Sequence, residues 1–220
     1  MNMRLDEQTL ALRVAGEFED GMTINLGYGM PGLCANFISE GRKIYFHGEN
    51  GILGYGALGE DAQKDYELIN ASDQPVTSAP GMCFFDSATS FDMIRGGHID
   101  LVVLGAYQVS QTGDLANWGR PGRPATGMGG AMDLAVGCRK LIVMMKHTTK
   151  DGAPRIVRQC SFPLTAKNCV DKIFTDLAVI EVTRQGLVLK EIAPSWTGEE
   201  VQKLTEAPLI IADDLKEMEL

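Results

Sequence analysis

Apolar positions along the chain gather into short runs separated by glycine-rich turns, with few long amphipathic stretches between them. Residues 101–104 and 141–145 are unbroken apolar runs, the signature of strands buried on both faces. Residues 22–26 and 44–47 read as two further strands. Leu10, Ala11, Val14, Ala15 and Phe18 share one face of a helix predicted over residues 6–20 and stopped by Gly21. Residues 33–39 read as a helix entered through Pro31, which suits a first-turn position. Ser87–Arg95 reads as a helix capped by Ser87 and ended by Gly96-Gly97.

Residues 61–67 read as a polar exposed excursion, 68–71 and 75–78 as strand-like pieces around a turn, and 113–124 as a loop holding Trp118. A short helix follows the glycines at 127–130, and 155–157 reads as a short strand. Residues 177–182 and 187–190 form a hairpin-like pair, and 197–205 a closing helix with Thr197 and Glu200 at capping-box spacing. The alternation predicts an α/β fold: a single domain over residues 1–220, with a largely parallel central sheet flanked by helices.

Composition narrows the function. The chain has 220 residues, 45% of them hydrophobic, enough for a full core. A net charge of -9 leaves no basic face to displace counterions, which argues against nucleic-acid binding. The longest purely apolar run is too short to cross a bilayer, and the N-terminus lacks the apolar centre of a signal peptide. Five cysteines without a C-x-x-C pair read as small core residues in a reducing compartment, so a cytoplasmic location is expected. His98 and His147 have no metal-ligand spacing, and no metal is expected.

The candidate chemistry centres on Glu49, a lone acid at the mouth of an apolar strand, with Gly48, Asn50, Gly51, Gly54 and Gly56 around it. A poorly hydrated carboxylate in a close-packed loop is a candidate nucleophile. The alternative is a ribose ligand, because Gly27-Tyr-Gly29-Met-Pro-Gly32 has G-x-G-x-x-G spacing and Glu49 follows at the end of the next strand. That reading makes the protein an NAD-linked oxidoreductase, although Pro31 removes an N–H from the phosphate-facing turn. Gly127 to Gly130 supply successive backbone N–H groups, suited to an oxyanion or to a tight turn. Asn25 is an amide inside an apolar strand, and His47 points the same way as Glu49 and reads as a core histidine.

Longer motifs bring in a known family. Asn-Leu-Gly-Tyr-Gly-Met-Pro (25–31), Glu-Asn-Gly-Ile-Leu-Gly (49–54), Leu-Ile-Asn-Ala (68–71) and Met-Ile-Arg-Gly-Gly-His (93–98) occur in order. They are followed by Gly-Asp-Leu-Ala-Asn-Trp (113–118), Gly-Met-Gly-Gly-Ala-Met-Asp-Leu (127–134), His-Thr-Thr-Lys-Asp-Gly (147–152), Pro-Leu-Thr (163–165) and Phe174 to Val179. Together they resemble the B (β) subunit of the family I 3-oxoacid CoA-transferases over nearly the whole chain.

The resemblance implies that Glu49 is the nucleophile, forming an acyl-glutamyl anhydride and then a glutamyl-CoA thioester in a ping-pong cycle. It assigns an oxyanion or substrate-binding role to Asn25, Gly129 and Gly130, and places Gly27, Gly29, Asn50 and Gly51 in the site loops. It implies succinyl-CoA or acetyl-CoA as donor and acetoacetate or 3-oxoadipate as acceptor, with no cofactor beyond the CoA esters themselves. It also implies a partner A (α) subunit in an A2B2 heterotetramer. A CoA-ester hydrolase or lyase on the same fold is the second reading. Two departures stand out: Gly48 replaces a common serine, and Ser72-Asp73 replaces a common Gly-Lys, leaving Arg120 or Arg123 to make any contact to CoA that the lysine makes.

Overall fold

In the computed structural model, which describes residues 3–57, 65–120, 122 and 127–220, the unbroken apolar runs occupy the middle of the main sheet. The strands in chain order are β1 (Thr23–Leu26), β2 (Tyr45–Gly48), β3 (Ile52–Tyr55), β4 (Cys83–Phe84), β5 (Leu101–Leu104), β6 (Gln108–Ser110) and β7 (Leu115–Ala116). They continue with β8 (Lys140–Met145), β9 (Ile156–Val157), β10 (Lys172–Thr175), β11 (Ala178–Thr183), β12 (Gly186–Ile192) and β13 (Leu209–Glu217). The helices are α1 (Glu7–Ala15), α2 (Ser87–Arg95), α3 (Ala131–Gly137) and α4 (Gly198–Lys203), with a 3₁₀ helix at Met30–Asn36.

Among the described residues, ten strands form one sheet in the order β13-β12-β11-β10-β8-β5-β1-β2-β3-β4, and β7-β6-β9 form a smaller one. The centre, β2-β1-β5-β8-β10, is parallel throughout. Its margins are not: β3 and β4 pair antiparallel on one side, and β11 and β12 on the other. The expected largely parallel sheet is therefore a parallel centre with antiparallel borders.

Side-chain alternation along the central strands divides the core. Leu101, Val103, Ile142 and Met144 face the side covered by Leu10, Val14 and Phe18 of the N-terminal segment. Val102, Leu104, Leu141, Val143 and Met145 face the opposite side, against Ile94 and Leu134 of α2 and α3. Every residue of β5 is buried, which explains why that run carries no polar position. Each such side chain contributes roughly 1.5–3 kcal/mol by leaving water.

Several predicted boundaries change. Helix α1 ends at Ala15, five residues early, because Glu17 and Phe18 donate to Val14 and Ala15 carbonyls (3.0 and 3.1 Å), tightening the last turn. Phe18 stays in the core through that turn. The segment expected as a helix over 33–39 is the 3₁₀ helix Met30–Asn36, in keeping with the poor helix propensity of its Pro, Gly and Asn. The cap of α2 is Asp86, whose Oδ1 accepts from Thr89 N at 2.8 Å, and not Ser87. The capping box at Thr197 and Glu200 forms as read.

The pieces at 68–71 and 75–78 meet through a single Ile69–Pro75 bridge, and the 113–124 loop contains β7. Leu58, residues 61–64 of the polar excursion, Arg123 and Pro124 lie outside the described residues.

Asp86→Ala is expected to lower the unfolding free energy by about 1 kcal/mol, and Ser87→Ala to leave it within about 0.5 kcal/mol. Urea titration of the two variants checks the assignment of the cap.

Candidate active site

Strand β2 carries Phe46 and His47 into the core and ends at Gly48, where the chain turns back into β3. Gly51 N donates to Gly48 O at 3.0 Å to close the turn. Gly51 has φ +108°, and any Cβ there would run into the carbonyl oxygen of Phe85, whose N–H donates to Gly51 O at 3.0 Å. Gly48 is nearly as closed, since a Cβ would lie 2.6 Å from Asn50 Oδ1 and 2.8 Å from Ile52 Cγ2. The serine common at this position in the resembling family therefore needs those two side chains to move. The turn projects Glu49 outward, half-buried.

The neighbouring strand supplies its anchor. β1 runs parallel to β2 with Asn25 opposite His47, and Asn25 is fully buried. Its Nδ2 lies 3.0 Å from Glu49 Oε2, 3.1 Å from His47 O and 3.1 Å from His47 Nδ1. A carboxylate and a carbonyl are acceptors, so the amide nitrogen must face them. His47 Nδ1 is then an acceptor too, and Nε2 carries the proton toward Ser90 Oγ at 3.0 Å. Burial pushes the His47 pKa down to about 4, so the ring is neutral and braces the amide, as the core reading anticipated. Asn25 Oδ1 is buried without a hydrogen-bond partner.

The second glycine loop closes over the same carboxylate. Gly127 and Gly129 have φ +91° and +53°, and Gly130 leads into α3 without a side-chain cap. A Cβ added at Gly130 would lie 3.5 Å from Glu49 Cγ and 3.3 Å from Phe91 Cζ. Loop backbone and acid are thus in near contact. Among the described residues no backbone carbonyl takes the N–H of Gly129 or Gly130.

These groups open onto a cavity of about 730 Å³ at the C-terminal ends of β1, β5 and β8, where Gly27, Gly105 and Met145 lie. Parallel sheets characteristically bind ligands at this end. Gly27 is tight against β5: its N–H donates to Val103 O at 2.8 Å, and a Cβ would meet Leu104 Cδ2 at 2.9 Å.

Of the residues singled out in the sequence, Glu49, Gly27, Gly129 and Gly130 line the cavity, and Asn25 holds Glu49 from behind. Gly29, Gly32, Asn50 and Gly51 shape turns and do not line it; Asn50 Nδ2 is tied to Ile69 O at 2.9 Å. Ser72-Asp73 sits in a turn where Asp73 has φ +57°, also away from the cavity. Arg120 lies with its guanidinium 4.6 Å from the Tyr107 ring centroid. Tyr107, Trp118 and Arg155 line the wall and carried no signal as site residues, because each reaches it from a loop set by long-range pairing.

The dinucleotide alternative loses its structural context. The first glycine loop enters a 3₁₀ helix with Pro31 in its first turn and no side-chain cap, so the α-helical N-terminus that receives a pyrophosphate is not built. Among the described residues no three His, Cys, Asp or Glu side chains are grouped to hold a metal ion. No helix among them is long and apolar enough to cross a membrane.

Two outcomes follow from this geometry. Gly51→Ala is expected to destabilise the protein by roughly 2–4 kcal/mol, through strain at positive φ and displacement of Phe85; thermal melting measures it. His47 and His147 both titrate near 4 in the fold because of burial, against 6.5 when exposed. Between those values the unfolded chain binds more protons, so stability falls as pH drops from about 6.5 to about 4, by up to about 3 kcal/mol per histidine. Denaturation midpoints across that range should show the slope, and His147→Gln should reduce it.

Similarity to known proteins points to one family. The family model described as Coenzyme A transferase matches residues 7–204. The chain is 48% identical over 210 residues to the B subunit of 3-oxoadipate CoA-transferase from Pseudomonas putida, covering 94% of this chain and 97% of that one. It is 49% identical over 209 residues to human mitochondrial succinyl-CoA:3-ketoacid coenzyme A transferase 2, of whose length it spans only 40%. Among solved structures, acyl-CoA transferase from E. coli O157:H7, in a thioester complex with CoA, superposes with a TM-score of 0.74 at 21% identity. That match covers 99% of this chain and 44% of the other, and shows a shared fold.

Proposed function

Because the chain belongs to the coenzyme A transferase family, we propose that it is the B subunit of an enzyme that moves CoA between an acyl-CoA and a 3-oxo acid through Glu49. The observation that carries this reading is the setting of Glu49. One oxygen is held at 3.0 Å by Asn25, no ion pair engages the carboxylate among the described residues, and the side chain faces the cavity. A carboxylate positioned without a countercharge keeps its nucleophilicity.

In the proposed cycle the other carboxylate oxygen attacks the thioester carbon, the C–S bond breaks, and CoA leaves as thiolate. The thiolate then attacks the glutamyl carbonyl of the mixed anhydride, releasing the first acid and leaving a glutamyl-CoA thioester. A second acid attacks that thioester, and the steps run in reverse. A glutamate suits this better than a serine, since an anhydride or thioester preserves the activation that an ester would lose. Gly129 and Gly130 offer N–H groups beside Glu49 for the oxyanions, each such donor being worth about 3–4 kcal/mol of barrier.

Succinyl-CoA or acetyl-CoA as donor and acetoacetate or 3-oxoadipate as acceptor fit the names of the relatives, and the CoA esters are the only cofactor-like molecules required. A separate A chain completes the enzyme in this reading, as an A2B2 assembly in the cytoplasm. The Pseudomonas relative is itself named as one of two kinds of chain, and this chain spans 40% of the longer human one; both support that partner.

The test is covalent trapping. The chain, co-expressed with its A-chain partner, is incubated with succinyl-CoA and no acceptor, then treated with borohydride or hydroxylamine and mapped. Modification at Glu49 is expected, with a loss of at least about 1,000-fold in turnover for Glu49→Ala. An unmodified Glu49, or full turnover in the variant, would end the proposal. Rapid release of free succinate without acceptor would favour the hydrolase reading.

A further inference from the structure

Among the described residues that line the cavity, Glu49 and Arg155 carry the only charges. Arg155 enters it from the segment preceding β9, where its backbone is fixed on both sides. Its N–H donates to His147 O at 3.2 Å, and its carbonyl accepts from Val109 N at 2.9 Å. The guanidinium is poorly satisfied. Nη1 donates to Ala106 O at 3.3 Å, Nε is buried without a partner, and no carboxylate pairs with it among the described residues.

The charged groups around Arg155 do not repair this. Asp176 is committed elsewhere, its Oδ2 to Arg4 Nη1 at 3.2 Å and its Oδ1 to His147 N at 2.7 Å. Arg120 is a like charge, stacked over Tyr107 on the same side. Burial first, and then Arg120, lower the pKa of Arg155 from the ordinary arginine value. A half-buried guanidinium with a cationic neighbour and an orphaned N–H is costly on its own, and an incoming anion would satisfy both the charge and the open donor. The wall shared with Glu49 includes Leu104, Leu134, Met144 and Met145, which suits a short aliphatic chain.

We propose that Arg155 forms a carboxylate subsite, binding the far carboxylate of a dicarboxylic acyl group while the reacting carbonyl lies at Glu49. This rests on the transferase reading above and narrows its substrate class to acids with a second carboxylate. A planar guanidinium takes a carboxylate through paired N–H bonds, which a lysine does not reproduce.

The experiment compares wild type, Arg155→Gln and Arg155→Lys in the co-expressed two-chain enzyme. Two donors of equal chain length are used, succinyl-CoA and butyryl-CoA, and binding of free succinate and butyrate is measured by calorimetry. Arg155→Gln is expected to lower kcat/KM for succinyl-CoA by about 10- to 100-fold while changing butyryl-CoA by less than about twofold, with Arg155→Lys between. Succinate binding should weaken in step and butyrate binding should not. Equal losses for both donors would overturn the subsite and point to a phosphate of CoA as the anion. No loss for either donor would overturn it as well. Calorimetry separates the two proposals: succinate binding that depends on Arg155 in a complex without transfer activity sinks the transferase reading and keeps the subsite.

Discussion

The hydrogen bond from Asn25 Nδ2 to Glu49 Oε2 is the contact around which the site is arranged. It requires β1 and β2 to be parallel neighbours in one register, because only then does a buried amide in one strand face the acid that leaves the other. The same nitrogen takes the carbonyl and ring of His47, and Ser90 from α2 fixes the far side of that ring. A chain of neutral groups thus holds an anion in place without neutralising it. A salt bridge there would hold the acid more strongly and blunt it as a nucleophile.

Backbone proximity is the second constraint. The hairpin turn, the first glycine loop and the loop before α3 approach one another more closely than side chains allow: Gly51 against Phe85, Gly27 against Leu104, Gly130 against Glu49 and Phe91. Dense packing of this kind keeps a reactive carboxylate away from bulk water while leaving N–H groups beside it. The cost falls on the loops, and the rigid parallel centre of the sheet supports it.

The cavity is electrostatically sparse, with an acid and an arginine on one largely apolar wall. That separation lets one end of a ligand react and the other be recognised. Neither Ser72 nor Asp73 brings a cation to it, and Arg120 is already engaged with Tyr107.

Much of this was legible in the sequence. The fully buried strands β5 and β8 show themselves as unbroken apolar runs, and the glycines around Glu49 mark a crowded turn before any coordinates exist. The capping box at Thr197 reads correctly because both partners are three residues apart. Other elements leave no such trace. β13 is an edge strand with mostly exposed side chains, so no hydrophobic period marks it. The cap of α2 lies one residue earlier than its sequence suggests because Asp86 and Ser87 are both good caps, and only backbone geometry selects between them. What the sequence determined by itself was local: strand, turn and helix types, and an acid placed where water is scarce. What the tertiary structure decided was which distant groups meet that acid, since Asn25, Gly130 and Arg155 reach one cavity only through strand order and register, which local periodicity does not encode.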